Sequence, residues 1–404
     1  MNHERPPHFP LIDAVCTALA EIFEQRYYAD KVIERTMKLN PKMGSRDRAF
    51  LAETTYDVVR WWRLLHYCAA TNEQTDRPSL LRVLSAYFFL FHDKKYAWKE
   101  NSGMDFSSVR QKHTEALAVR ALRYSIPDWM DEMGERELGL QWEKELVALN
   151  EEAPVDVRSN RLKTNPDALS MFLQEDGIET ERVEHAPDAL RLTERRNIFR
   201  NKWFLEGYFE VQDAGSQQIA AYLEVKPGMR VIDACAGAGG KALHLAALME
   251  NKGRLIAMDV EERKLQELKK RSARAGVSII EPKIIDSTKV IKRQEASADR
   301  LLLDVPCSGL GTLRRNPDAK WKLSPEFLEK VKKLQKEILF SYAKMLKPGG
   351  KMVYATCSIF PSENHEQVKA FLAENPSFKL VHEQKLSPAL TGTDGFYMAL
   401  IRKI

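Results

Sequence analysis

No two of the five cysteines, Cys16, Cys68, Cys235, Cys307 and Cys357, are spaced as Cys-x-x-Cys. That argues against a zinc cage and against a disulfide framework, so reduced thiols and no bound metal are expected. Long apolar runs are also missing. The most apolar stretch, Leu84–Phe91, is far below the roughly 18 residues that suggest a membrane span. The opening residues, Met-Asn-His-Glu-Arg-Pro-Pro, carry no basic segment leading into an apolar one, so no secretory signal is read there. A cytoplasmic protein with no membrane partner is expected, and a monomer. Internal repeats and low-complexity segments are absent.

Net charge is small, +5 from 62 Lys+Arg against 57 Asp+Glu, but it is unevenly spread. Between Arg314 and Lys344 nine basic residues face four acids, so this segment alone carries +5. A solvated helix face accounts for many such runs. Here the run adjoins a cysteine-bearing segment, which favours a polyanionic substrate, RNA, held through its phosphates. Arg314, Arg315 and Lys320 are the candidate RNA-binding residues.

At 404 residues the chain exceeds one ordinary core, and two or three domains are expected. Residues 1–125 read as a helical bundle. Ser45-Arg-Asp-Arg looks like a helix start, and Leu51, Thr55, Val58, Trp62 and Leu65 recur at helical spacing. Further helices are read over 80–91 and 107–122. Trp61, Trp62, Phe88 and Phe89 are read as core rather than as base-stacking platforms. Residues 126–210 read as a small α+β module, with Val155-Asp-Val-Arg-Ser-Asn-Arg alternating like a strand.

Residues 211–404 alternate strands and helices. Strands are expected at 230–234, 254–259, 283–286, 300–305 and 351–356, which predicts a parallel, doubly wound α/β sheet. Ligands in such sheets bind beyond the carboxyl ends of the strands. Gly237, Asp259, Asp286, Asp304, Cys307 and Cys357 all fall at or just past those ends.

The first strand runs into Asp233-Ala-Cys235-Ala236-Gly237-Ala238-Gly239-Gly240-Lys241. Glycines there let backbone approach a ligand, and the following helix N-terminus favours an anionic group. As a phosphate-binding Walker loop it fails, because Ala242 stands where a Ser or Thr would meet magnesium. With Asp259 spaced to meet ribose hydroxyls it fits a nucleotide-type cofactor, NAD or S-adenosylmethionine (SAM). Cys235 is expected to pack under the loop and Lys241 to contact the ligand.

Cys16 and Cys68 are read as small buried hydrophobes, whereas Cys307 and Cys357 sit at strand ends facing the crevice. A thiol beside SAM has a specific use. Carbon C5 of a pyrimidine is too poor a nucleophile to take a methyl group directly, and thiolate addition at C6 turns the ring into an enamine-like species that can. Amine methylation needs no such thiol.

Three segments carry a resemblance. Asp304-Val-Pro-Cys307-Ser-Gly-x-Gly-Thr, Arg315-Asn316-Pro317-Asp318-x-Lys320-Trp321 and Tyr354-Ala-Thr-Cys357-Ser-x-x-Pro361-x-Glu363-Asn364 together resemble RNA cytosine-C5 methyltransferases, in particular the RsmB (Fmu/Sun) group acting on 16S ribosomal RNA. The likeness runs from about Ser125 to the C-terminus. More faintly, Ser45-Arg-Asp-Arg-Ala resembles the NusB-type RNA-binding bundle of that group. The resemblance implies a Rossmann-like SAM-dependent methyltransferase domain over 211–404, an RNA-binding α+β module over 126–210 and a NusB-like RNA-binding domain over 1–125. It implies that Cys357 is the nucleophile and that Cys307 assists product release. It further implies that Cys235, Ala236, Gly237, Ala238, Gly239, Gly240, Lys241, Asp259, Asp286 and Asp304 bind SAM. The family loop reads Ala-Pro-Gly-Gly-Lys-Thr, whereas this chain has Ala238 and Ala242 at the proline and threonine positions, a change expected to loosen the loop. Transfer RNA as substrate, and a non-catalytic RNA-binding assembly factor, are the alternatives. The presence of both thiols speaks against the second.

Overall fold

The computed structural model of the protein describes residues 7–96, 98 and 103–404. The chain divides into two compact units. One takes the chain up to Asn150 together with Leu313–Ser324, and the other comprises Glu151–Thr312 and Pro325–Ile404. The boundary expected at 125 therefore lies inside the first unit, and a twelve-residue excursion from the second half of the sequence belongs to it.

The first unit is helical. Its longer helices are Phe9–Glu24, Ala29–Leu39, Ser45–Arg60, Arg77–His92 and Phe106–Ala116, followed by Asp128–Leu138 and Trp142–Leu149. Asp76 caps the fourth of these by accepting from Ser79 N at 3.1 Å, satisfying one of the amides a helix start leaves open. Leu51, Thr55, Val58, Trp62 and Leu65 are all buried, as their spacing predicts. The helix they begin ends at Arg60, and a new one runs Trp62–Ala69. Trp62 stacks on Phe23 with ring centroids 3.5 Å apart, and Phe88 and Phe89 are also core. The helix expected over 107–122 stops at Ala116, short of the predicted end.

The second unit holds two sheets. The smaller one has strands β1 (Asp156–Ser159), β2 (Thr180–Arg182), β3 (Ala189–Leu192) and β4 (Phe209–Val211) in the order β2-β3-β1-β4, all antiparallel. The larger has β5 (Arg230–Asp233), β6 (Arg254–Asp259), β7 (Ile280–Ile284), β8 (Ala298–Asp304), β9 (Leu346–Thr356), β10 (Phe378–Leu386) and β11 (Phe396–Lys403). Their order is β10-β11-β9-β8-β5-β6-β7. Pairings from β7 across to β9 are parallel, which is the Rossmann-like core. β11 runs antiparallel between β9 and β10, so the sheet is mixed, not wholly parallel. The reason is chain length. Only the short link carrying the helical turn Pro388–Thr391 joins β10 to β11, while a parallel return needs a crossover of a dozen or more residues.

The chain order reverses at β5, with β6 and β7 on one side and β8 and β9 on the other. In open α/β sheets that reversal opens a crevice at the carboxyl ends of the strands. Two close approaches shape its rim. Gly239 has φ +87° and a Cβ there would lie 2.7 Å from Leu268 Cγ. A Cβ on Gly311 would lie 2.2 Å from Gly395 O, so neither position admits a side chain without movement.

Candidate active site

Two arginines and an aspartate hold the loop after β5. Asp259, at the end of β6, accepts from Gly237 N at 2.8 Å through Oδ2 and from Glu261 N at 2.9 Å through Oδ1. Arg271 Nη1 donates to Ala238 O at 2.9 Å, and Arg158 Nη1 donates to Gly240 O at 2.7 Å. Behind them Glu210 receives Arg271 Nη2 at 2.8 Å and also pairs with Arg274. The loop is thus gripped by β6, by the helix Glu262–Ala275 and by β1. Positions Gly237 and Gly240 have nothing within 4 Å of where a Cβ would stand. Cys235 is half-buried against the apolar core, and burial pushes its thiol well up.

Lys241 and Asp304 form an ion pair at 2.6 Å. Burial pulls the lysine toward its neutral form, but Asp304, with help from Cys357 and Asp233, outweighs it and holds Lys241 above the ordinary lysine range. Asp233 is buried with both carboxylate oxygens lacking a hydrogen-bond partner. Its carboxyl is pushed up to about 7, first by burial and then by Asp304, against the pull of Lys241. An unsatisfied buried carboxylate is costly. Here it lies at the end of β5, where a ligand ammonium could satisfy it. Val260, directly after Asp259, is 66% exposed, an apolar face beside the acid that would meet ribose hydroxyls. These features fit SAM, whose ammonium, ribose diol and adenine call for an anion, an acceptor pair and an apolar surface. Sequence reasoning gave no role to Asp233 or Val260; the signal for both was an acid or apolar residue at the carboxyl end of a strand.

Asp286 follows Ile285, whose N donates to Asp259 O at 2.8 Å, so it stands next to the end of β6. It lies beyond β7, exposed, and accepts from the Ser287 hydroxyl at 2.9 Å. β7 occupies 280–284, earlier than expected, because Leu255 pairs with Ile280 and Asp259 with Ile284.

The two thiols converge. β8 and β9 are neighbours with Asp304 opposite Ala355, and the loops that follow place Cys307 Sγ 3.1 Å from Cys357 Sγ. Cys357 N donates to Cys307 Sγ at 3.3 Å. Both cysteines are free and half-buried. Cys307 is held well above the ordinary thiol range, first by its bond to Cys357, then by burial, the charge of Cys357 and that of Glu363. Beneath them Glu363 bonds Ser308 and Ser358, while Thr356 donates to Asn364 Oδ1 at 2.5 Å. The segment before β11 closes the rim, with Gly395 N donating to Gly311 O at 2.8 Å and Gly311 N to Cys357 O at 2.9 Å.

Two of the three candidate RNA-binding residues require correction. Arg314 and Lys320 are buried, within the excursion that belongs to the helical unit. Lys320 Nζ donates to Arg60 O at 2.8 Å, Arg60 Nη2 donates to Arg314 O at 3.1 Å, and Trp321 Nε1 donates to Val59 O at 2.8 Å. Burial, and then the charge of Arg60, lowers the Lys320 amine well below its usual range. Neither Arg314 nor Lys320 is placed to meet a phosphate, and Arg315 is half-buried. Lys330 and Lys333 on the helix Pro325–Tyr342 are exposed instead. Among the described residues no helix is long and apolar enough to cross a membrane.

Comparison with known proteins gives consistent results. The family model described as 16S rRNA methyltransferase RsmB/F matches residues 220–402, and the one described as an RsmF/B-like ferredoxin-like domain matches 126–199. The probable ribosomal RNA small subunit methyltransferase B of Synechocystis sp. is 32% identical over 397 residues, covering 89% of this chain and 88% of that relative. The Bacillus subtilis protein of the same description is 32% identical over 442 residues, covering 97% and 98%. Among solved structures, PH0851 superposes with a TM-score of 0.82 at 26% identity over 99% of both chains. A methyltransferase homolog protein from Pyrococcus horikoshii gives a TM-score of 0.64 at 28% identity over 72% of this chain and 99% of its own.

Proposed function

The chain belongs to the RsmB/F family of 16S ribosomal RNA methyltransferases, and within that family we propose that it forms 5-methylcytosine in small-subunit ribosomal RNA through a covalent cysteine–cytosine adduct. The observation that carries this reading is the pair of sulfurs 3.1 Å apart on loops adjoining the cofactor crevice. SAM-dependent transfer to a nitrogen or oxygen gives two adjoining thiols nothing to do, whereas C5 of cytosine must first be activated.

Cys357 is the nucleophile. Its thiolate adds to C6, electron density moves to C5, and C5 takes the methyl group that bound SAM supplies. Lys241, held charged by Asp304, is a cation of the same crevice. Cys307 acts after methyl transfer, helping to remove the C5 proton so that the Cys357–C6 bond can break and aromaticity return. The loop Cys235–Lys241, with Asp233, Asp259 and Asp304, would hold SAM. A target cytosine has to leave its stack to reach sulfurs sunk beside the sheet, which favours single-stranded or loop RNA.

The test separates the thiols. Cys357→Ala should abolish methylation and give no covalent complex. Cys307→Ala should accumulate a protein–RNA adduct that survives denaturing electrophoresis and requires SAM. An adduct from Cys357→Ala instead would reverse the roles, and normal methylation by both variants would remove covalent catalysis.

A further inference from the structure

Beneath the two thiol loops lies a carboxylate to which the covalent mechanism assigns nothing. Glu363 is fully buried. Its Oε2 accepts from Ser308 N at 2.8 Å and Gln335 Nε2 at 3.0 Å, and its Oε1 accepts from Ser308 Oγ and Ser358 Oγ, each at 2.5 Å. Ser308 and Ser358 directly follow Cys307 and Cys357, so one side chain ties both loops. Gln335 also donates to Pro306 O at 2.9 Å, and Tyr354 Oη to Glu363 O at 2.8 Å. All four donors to the carboxylate are neutral groups, which orient around a negative charge without cancelling it.

We propose that Glu363 is the positioning residue for methyl transfer, locking the two thiol loops together and, by its charge on the Cys307 side, keeping Cys307 protonated so that the thiolate forms at Cys357. The asymmetry is visible in the backbone. The amide just after Cys307 donates to the Glu363 carboxylate at 2.8 Å, whereas the amide just after Cys357 donates to Thr356 Oγ1 at 3.2 Å. Two thiolates 3.1 Å apart would repel, so one sulfur must keep its proton. A protonated Cys307 can donate to Cys357 Sγ and stabilise its charge. Glu363 adds to the causes that hold Cys307 above the usual range. Once Cys357 sulfur is bonded to carbon it no longer sets a charge against Cys307, which can then give its own proton to water and, as a thiolate, take the C5 proton in the later step while the Cys357–C6 bond breaks.

The consequence for catalysis rests on the covalent reading, but the test does not, since it reads thiol ionisation without RNA or SAM. The full-length protein is alkylated with iodoacetamide over a pH series, and modification at each cysteine is followed by mass spectrometry. In the wild-type chain Cys357 should label at lower pH than Cys307; the opposite order overturns the proposal without any variant. In Glu363→Gln the Cys307 profile should move down by about one pH unit, about tenfold faster labelling at fixed pH, with Cys357 moving less. Ser308→Ala keeps the charge while removing one tie, and should leave Cys307 labelling late. Equal movement of both cysteines in Glu363→Gln, no movement, or the same shift in Ser308→Ala would each show that Glu363 is packing alone.

Discussion

Arg271 donates to the carbonyl of Ala238 at 2.9 Å, so the loop residue that replaces the family's proline is fixed through its backbone. The loosening expected of that replacement is offset by a guanidinium anchored on Glu210. Removing it should free the loop without touching SAM. A hydrogen bond made by a charged group contributes about 1.5–3 kcal/mol, so Arg271→Ala should weaken SAM binding by roughly tenfold or more, read by calorimetry. Unchanged affinity would mean that Asp259 and Arg158 suffice.

Asp259 has a larger task, since its two oxygens already hold Gly237 N and Glu261 N and each keeps a lone pair for a ribose hydroxyl. Asp259→Ala should therefore cost both loop geometry and ligand bonds, lowering SAM affinity by about a hundredfold on the same scale. NAD should bind neither form. Tight binding of NAD to the wild-type chain would overturn the cofactor assignment.

Much of this site was legible in the sequence because chemistry in a doubly wound sheet collects at strand ends, and strand ends can be read from apolar runs followed by Asp, Gly or Cys. Cys307, Cys357, Asp259 and Asp304 were picked out that way, and Lys241 from its place directly after the glycine loop. Glu363 escaped because its partners, Ser308, Ser358 and Gln335, converge only in three dimensions. β10 and β11 escaped because their reversal depends on a short connection rather than on a helical crossover. Arg314 and Lys320 were misread since charge in a sequence does not reveal which side chains turn inward. Lys320 lies between a carbonyl and an indole, with its Nζ 5.2 Å from the Trp321 ring centre.

With Arg314 and Lys320 buried, the exposed Lys330 and Lys333 become the expected phosphate contacts. Lys330→Glu and Lys333→Glu should weaken RNA binding with little effect on SAM affinity. Each should also flatten the salt dependence, by about 0.7 in log–log slope for every single-stranded phosphate that the lysine no longer neutralises. Lys320→Met should instead act on folding. Its amine is lowered in the folded chain, so the unfolded chain binds the proton more strongly between the folded value and the ordinary 10.5. Stability of wild type should rise with pH across that window, and Lys320→Met should remove the rise. Equal pH dependence in both proteins, measured by thermal melts, would show that Lys320 does not titrate this way.

Asp233 titrates in the opposite sense. Its ordinary value is 3.8, and in the folded chain it is pushed up to about 7. Below the first value both states hold the proton. As pH rises from one value to the other, the unfolded chain gives up its proton while the folded chain retains it, so folded stability falls across that window. The cofactor-free protein should therefore lose Tm between about pH 4 and pH 7, and Asp233→Asn, which cannot ionise, should lack that part of the loss and melt higher than wild type at neutral pH. SAM should reverse the order, because an ammonium beside the ionised carboxylate satisfies oxygens that otherwise have no partner. Wild type should gain more Tm on adding SAM than Asp233→Asn does. Identical pH profiles without SAM would show that the carboxyl is already satisfied, and equal gains with SAM would place the ligand ammonium elsewhere.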